Sequence, residues 1–199
     1  PRIAENGAIL VGPESAGAVP GPAAYGKGGT QPTVTDANLV LGRLPPSLLD
    51  GAVTLDTEAA SAAIDEQIAR PLGTSVTEAA LGILAIVNET MNCAMKLMTV
   101  ERGLDPADFT LAAFGGAGPV HGGALMRLLN SQQLLVPRHP GILCASGLLS
   151  TNLRYDFALT RLQRAGHYDL DDIAAVFDRL SGEAAAKLSA DGVGADRHQ

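Results

Sequence analysis

Three groups of residues in this sequence have types and spacing that suit chemistry. The first is the run Gly115-Gly116-Ala117-Gly118-Pro119, with His121 just beyond it. Glycines at a strand end let a ligand lie directly against the backbone, and a following helix offers free amides and a partial positive charge at its N-terminus. That arrangement suits a nucleotide-contacting turn, or else a purely structural one. The second group is Thr35-Asp36, placed after a Gly- and Pro-rich stretch over residues 12–33. A carboxylate there can hold magnesium or orient a substrate amide, and it can equally serve as a helix cap. The third group is Glu101-Arg102, at the end of a long apolar-striped segment, which either reaches the glycine turn or pairs on the surface. His121 has three readings: a ligand contact, a capping group, or a buried hydrogen-bonded histidine.

Other constellations fail on their own chemistry. Gly21 to Gly28 nearly matches G-x-x-x-x-G-K-[ST], but Gly28 has no hydroxyl for magnesium and prolines flank the segment. A dinucleotide fingerprint starting at Gly116 would need glycine where His121 stands, and no acidic residue ends the strand at Val136 to hold a ribose. His139 and His167 lie in loops without partners at metal-ligand spacing. No G-x-S-x-G elbow is present. Cys93 and Cys144 stand far apart in apolar surroundings and read as small buried hydrophobes.

The elements that must position these groups are legible from periodicity and punctuation. A hairpin is expected over Arg2–Ala4 and Ala8–Val11 around Asn6-Gly7. After the loop over residues 12–33, Thr35 or Asp36 is expected to cap a short helix running to Gly42. A helix from about Thr57 to Ala69 buries Ala60, Ile64 and Ile68 and ends at Pro71 and Gly73. Ser75-x-x-Glu78 is a capping box that opens a helix reaching Val100, with an apolar stripe from Val76 to Met98. At ~1.5 Å per residue it would be about 40 Å long, the spine of the chain. A strand over Phe109–Phe114, buried by its apolar run, leads into the glycine turn and a helix over Val120–Leu129. A second strand over Gln133–Pro137 follows, parallel to the first by the right-handed crossover rule. Further on come a short helix over Ile142–Ser150, an edge strand over Leu153–Leu162 and a last helix from Asp169 to about Ala190. That helix is expected to bury Ile173, Val176, Phe177 and Leu180.

Composition narrows the partners. A formal net charge of −7 argues against nucleic acid or an anionic membrane as the main partner. With 46% hydrophobic and 18% charged residues there is ample material for a core. No window approaches the roughly 18 consecutive apolar residues of a membrane helix, so a cytoplasmic protein is the expectation. A start at Pro1, with a hairpin preceded by no other element, suggests a piece of a longer chain.

A family resemblance is carried by several uncommon runs. They are Val11-Gly-Pro-Glu-Ser-Ala-Gly17, Pro20-Gly-Pro, Tyr25-Gly26-Lys-Gly28-Gly-Thr30 and Pro32-Thr-Val-Thr-Asp-Ala-Asn-Leu-Val-Leu-Gly-Arg43. Val100-Glu-Arg-Gly103, Ala113-Phe-Gly-Gly-Ala-Gly-Pro-Val-His121 and Pro140-Gly141-Ile-Leu complete the set. In order, over residues 8 to about 160, they resemble the hydantoinase A and 5-oxoprolinase family, which includes acetone carboxylase subunits.

The resemblance implies an α/β fold of the actin-like ATPase (ribonuclease H-like) type, here the C-terminal part of the nucleotide-binding core over residues 1–160. Residues 161–199 form a tail with a helix. It implies ATP and Mg2+ as cofactors, adenosine at Gly115–Pro119 with His121, Glu101 and Arg102 nearby, and Asp36 with Thr35 near metal or substrate. The implied reaction phosphorylates a cyclic amide so that ring opening by water becomes feasible, with a hydantoinase B-type subunit or fused domain as partner in an oligomer. An ATP-dependent ketone carboxylase subunit and a catalytically silent interaction module are the alternatives. Two phosphate-binding motifs of actin-like ATPases do not occur in this sequence, so the chain alone is not expected to hydrolyse ATP. Ala24 stands where the family commonly has cysteine, so no thiol role is carried over.

Overall fold

A computed structural model describes residues 1–48 and 51–194. Residues 49–50, and residues 195–199 at the end of the expected tail, lie outside the described part. The chain divides into two compact units, Pro1–Cys144 and Ala145–Gln199.

The first unit opens with the expected hairpin, β1 (Arg2–Ile3) antiparallel to β2 (Ile9–Leu10), turning at Gly7 with φ 84°. The loop over residues 12–33 is ordered by a single 3-10 turn at Ala23–Tyr25 and leads into α1 (Val34–Val40). The cap of α1 is Thr33 rather than Thr35 or Asp36. Asp36 sits at the third helical position and closes a capping box with Thr33, because its carboxylate there can reach back to the Thr33 amide. A small hairpin, β3 (Ser47–Leu48) with β4 (Val53–Thr54), precedes α2 (Thr57–Ile64). A π-helical turn at Asp65–Ala69 and α3 (Arg70–Leu72) prolong α2, and Gly73 at φ 66° ends the run. The chain then bends by 91° into α4 (Val76–Met98), whose capping box is the predicted Ser75–Glu78 pair.

The core forms where α1, α2, the π turn and the first half of α4 meet. Ala37, Ile64, Ile68, Ala69, Ala79, Ala80, Ile83 and Leu84 are all buried there, with Ile3, Ile9 and Val11 of the opening hairpin packed against them. Burying apolar surface contributes about 25 cal/mol per Å2, which makes this cluster the main stabilising feature of the unit. The second half of α4 leaves the core. Met98 is 58% exposed, and the buried positions after Leu84 are the polar residues Asn88 and Asn92.

Beyond α4, β5 (Thr110–Ala112) runs parallel to β6 (Gln133–Leu135), with Leu111 opposite Leu134, and α5 (Gly118–Leu128) crosses between them. The parallel pairing is as predicted, but the strand is shorter and more open than expected. Phe109 and Phe114 are 47% and 44% exposed, because among the described residues β5 pairs with β6 alone. Parallel sheets bury both faces only when elements cover both. Cys93 and Cys144 are exposed rather than buried, one on the open half of α4 and the other at the start of α6 (Leu143–Ser150).

In the second unit, residues 153–162 form no strand. Among the described residues no backbone pairs with this segment, and its side chains are engaged elsewhere: Tyr155 donates to Asp191, and Arg161 makes a two-pronged contact with Asp172. α7 (Leu170–Ala190) forms over the expected span, and Asp169, expected as its first residue, is its N-cap. The helix buries none of its apolar residues fully, and Phe177 is 67% exposed, because the described residues of this unit include none that is buried for the stripe to pack against. Among the described residues no single helix is long and apolar enough to cross a membrane.

Candidate functional site

The glycine turn is built by the strand that enters it and the helix that leaves it. The Ala113 amide extends the ladder to the Leu135 carbonyl at 2.9 Å, and the Gly115 amide donates to the Pro140 carbonyl at 2.8 Å. These bonds pin the loop after β6 beside the turn. Gly115 adopts φ 81°, a conformation that favours glycine. α5 then begins at Gly118 with no side-chain cap, and Pro119 occupies its first turn, where the missing N–H costs nothing. The amides of Gly116, Ala117 and Gly118 donate to no protein acceptor among the described residues. Unsatisfied amides at a helix start form an anion- and polar-group-binding surface.

The glycines of this region serve two different ends. A Cβ at Gly122 would lie 3.0 Å from Ala113 Cβ and 3.1 Å from Leu134 Cδ1, so glycine there allows α5 to sit on the sheet. A Cβ at Gly116 would meet nothing within 4 Å, and its φ is not in the left-handed region. Neither packing nor backbone conformation within this chain therefore accounts for glycine at 116; open space above it does.

His121 lies directly behind the turn and is 5% exposed. Its Nδ1 is 2.8 Å from Asn88 Oδ1 on α4. Since a carboxamide oxygen only accepts, Nδ1 carries the proton and the pair ties α5 to the spine. Burial pushes the imidazole below its ordinary value, and the Arg43 guanidinium pushes it further, so the ring is held neutral. Asn88 was not singled out in the sequence. Its signal there is a polar side chain on an otherwise apolar helical stripe, repeated one turn later by Asn92.

Glu101 and Arg102 make no hydrogen bond or ion pair with the glycine turn among the described residues. They follow the end of α4 at Met98, past Thr99. Both are exposed, in a 3-10 turn at Val100–Arg102, and neither forms an ion pair among the described residues.

Asp36 is fully buried and spends its carboxylate on the fold. Oδ1 accepts from the Ala24 amide at 2.8 Å; Oδ2 accepts from the amides of Ala23 (3.3 Å) and Thr33 (2.7 Å) and from the Thr33 hydroxyl at 2.8 Å. With four donors on it and no exposed surface, the carboxylate is closed to an incoming cation. Among the described residues no group of three or more His, Cys, Asp or Glu side chains is placed to hold a metal ion. The site does not fit magnesium, and Asp36 is corrected from a candidate metal ligand to the anchor of the Gly- and Pro-rich loop. Its neighbour Thr35 does face an opening, a cavity of about 510 Å3 beneath that loop, shared with Arg2, Glu14, Ser15 and Tyr25. Arg2 and Glu14 pair across it at 3.0 Å.

The hydantoinase/oxoprolinase profile matches residues 2–157. The chain belongs to the hydantoinase/oxoprolinase family. It is 42% identical over 198 residues to caprolactamase subunit alpha of Pseudomonas jessenii, covering 98% of this chain and 28% of that protein. It is 46% identical over 148 residues to the acetophenone carboxylase gamma subunit of Aromatoleum aromaticum, covering 73% of this chain and 20% of that subunit. Nucleotide-free acetone carboxylase, a structure solved in work on ATP-dependent acetone carboxylation, matches with TM-score 0.80 at 31% identity, covering 98% of this chain and 29% of that one. The crystal structure of ATP-dependent caprolactamase from P. jessenii matches with TM-score 0.70 at 38% identity, over 99% of this chain and 29% of that one. The chain thus spans between 20% and 29% of the length of these hydantoinase/oxoprolinase relatives.

Proposed function

We propose that this chain is a segment of an ATP-dependent enzyme of the cyclic-amide hydrolase branch of its family, and that adenosine lies on Gly115–Pro119. The observation that carries the reading is Gly116, whose open space and ordinary backbone leave ligand approach as the reason for glycine. The free amides of Gly116, Ala117 and Gly118 support it. His121, locked to Asn88, positions the first turn of α5 rather than contacting the ligand. ATP supplies a phosphoryl group that turns the amide oxygen into part of a leaving group. What these residues contribute is binding and orientation. Any magnesium that accompanies ATP needs carboxylates other than Asp36. An actin-like ATPase core accommodates the β5–turn–α5–β6 unit, and a hydantoinase B-type subunit or fused domain completes the reaction in an oligomer in the cytoplasm.

The carboxylase branch is favoured by one observation, the higher TM-score to acetone carboxylase than to caprolactamase, against the higher identity to caprolactamase. Phosphate release by the full-length protein decides between them. A lactam or other cyclic amide should stimulate release from ATP, whereas a ketone with bicarbonate should not. Gly116→Val should abolish ATP binding, measured by calorimetry, and leave the thermal unfolding midpoint unchanged. Unaltered ATP affinity in this variant would remove adenosine from the turn, and stimulation by the ketone alone would move the protein to the carboxylase branch.

A further inference from the structure

A cavity of about 560 Å3 opens beside α4 and α5, and it includes none of the residues Gly115–Pro119. Arg43, from the turn that follows α1, and Arg127, from the last turn of α5, both line it. Asn88 joins them from α4. Its Oδ1 is taken by His121, while its Nδ2 has no protein acceptor among the described residues. No carboxylate lines the cavity. Acidic residues outnumber basic ones by 21 to 14 in the chain, yet neither arginine enters any of the ion pairs formed among the described residues. Two guanidinium groups without counter-charges, sharing one cavity in an acidic protein, leave a local positive field. His121, whose protonation Arg43 opposes, registers that field. Leu84, Val120 and Ala124 supply an apolar wall.

Guanidinium groups present planar pairs of N–H donors that match carboxylate and phosphate oxygens, and an amide NH2 adds another donor. A space of this size with an apolar wall and a few convergent polar groups takes a small organic molecule rather than a bare ion. We propose that this cavity binds a small organic anion, its carboxylate or phosphate held by Arg43, Arg127 and the Asn88 amide and its apolar body against Leu84, Val120 and Ala124. This site is separate from the adenosine turn and does not depend on the assignment of that turn.

Benzoate and phenyl phosphate serve as probes, with neutral benzamide as the control, titrated calorimetrically into the full-length protein. Both anions should bind and benzamide should not. Arg43→Gln should weaken binding about tenfold, as loss of a charge-assisted hydrogen bond does, and Arg43→Gln with Arg127→Gln should abolish it. The double lysine variant, which keeps the charges but loses the planar forks, should recover part of the affinity. Affinity for ATP should be unchanged throughout. No binding of either anion to the wild-type protein, or equal binding by the double glutamine variant, would overturn the proposal. So would displacement of the probes by ATP. Loss of subunit association in the double glutamine variant, seen by light scattering, would overturn it in favour of an acidic side chain of another subunit as the occupant.

Discussion

At the scale of single residues, Asp36 shows how a reactive group becomes a structural one. Four donors converge on its carboxylate, three of them backbone amides of Ala23, Ala24 and Thr33. Asp36→Ala leaves those amides without acceptors around a buried site, and each such loss costs roughly 1–3 kcal/mol. Urea unfolding should therefore register about 3 kcal/mol or more of destabilisation. Thr35→Val, one residue away on the wall of an open cavity, should stay within about 0.5 kcal/mol of the parent. Equal and small effects from both variants would show that the carboxylate does not anchor the loop. The Thr-Asp pair and the glycine run were both visible as candidates in the sequence. That Asp36 anchors the loop, rather than holding a metal or capping α1, was not, because Ala23 and Ala24 approach it from 13 and 12 residues away, and spacing carries no information about that contact.

At the scale of elements, the helices were the most legible parts because their signals are local. Ser75 and Glu78 cap α4, Gly73 stops the helical run before it, and Ala60, Ile64 and Ile68 fall on one buried face. The strands were less legible, since a strand needs a partner. β5 and β6 pair as expected, whereas residues 153–162 carry an alternating pattern and no ladder. The seat of α5 on the β5–β6 pair depends on Gly122. Gly122→Val forces its side chain against Ala113 and Leu134, an overpacking that should cost about 1–3 kcal/mol in thermal or urea unfolding. Gly123→Ala, which meets nothing within 4 Å, should be neutral or stabilising by up to about 1 kcal/mol through helix propensity. A benign Gly122→Val would mean that α5 does not pack on the sheet as described.

At the scale of the whole molecule, burial is unevenly shared between the two units. Every buried residue among those described lies before residue 145. Isolated helices hold poorly in water without an apolar face against something else, so α7 depends on its cap and on side-chain contacts such as Arg161–Asp172. Amide hydrogen exchange of the intact chain should find the slowest amides around Ile64, Ile68, Ile83 and Leu84, and amides of α7 exchanging orders of magnitude faster. Equal protection in both would show that α7 shares in the cooperative core.

The family and the positions of the main helices were legible in the sequence alone, whereas the β3–β4 pair was not expected and the strand expected over residues 153–162 does not form. Capping boxes, glycine stops and helical stripes act between residues a few positions apart, and the Gly-Pro runs are uncommon enough to mark descent. Tertiary structure decided the rest. It showed that Asp36 faces the backbone of its own loop, that Glu101 and Arg102 are exposed in a 3-10 turn after α4, and that Cys93 and Phe177 face outward. It also brought Arg43, Asn88 and Arg127 to one cavity from three separate elements. The physical reason is common to all of these. Whether a side chain is buried, paired or left free depends on residues distant in the chain, and only the packed fold brings them within bonding distance.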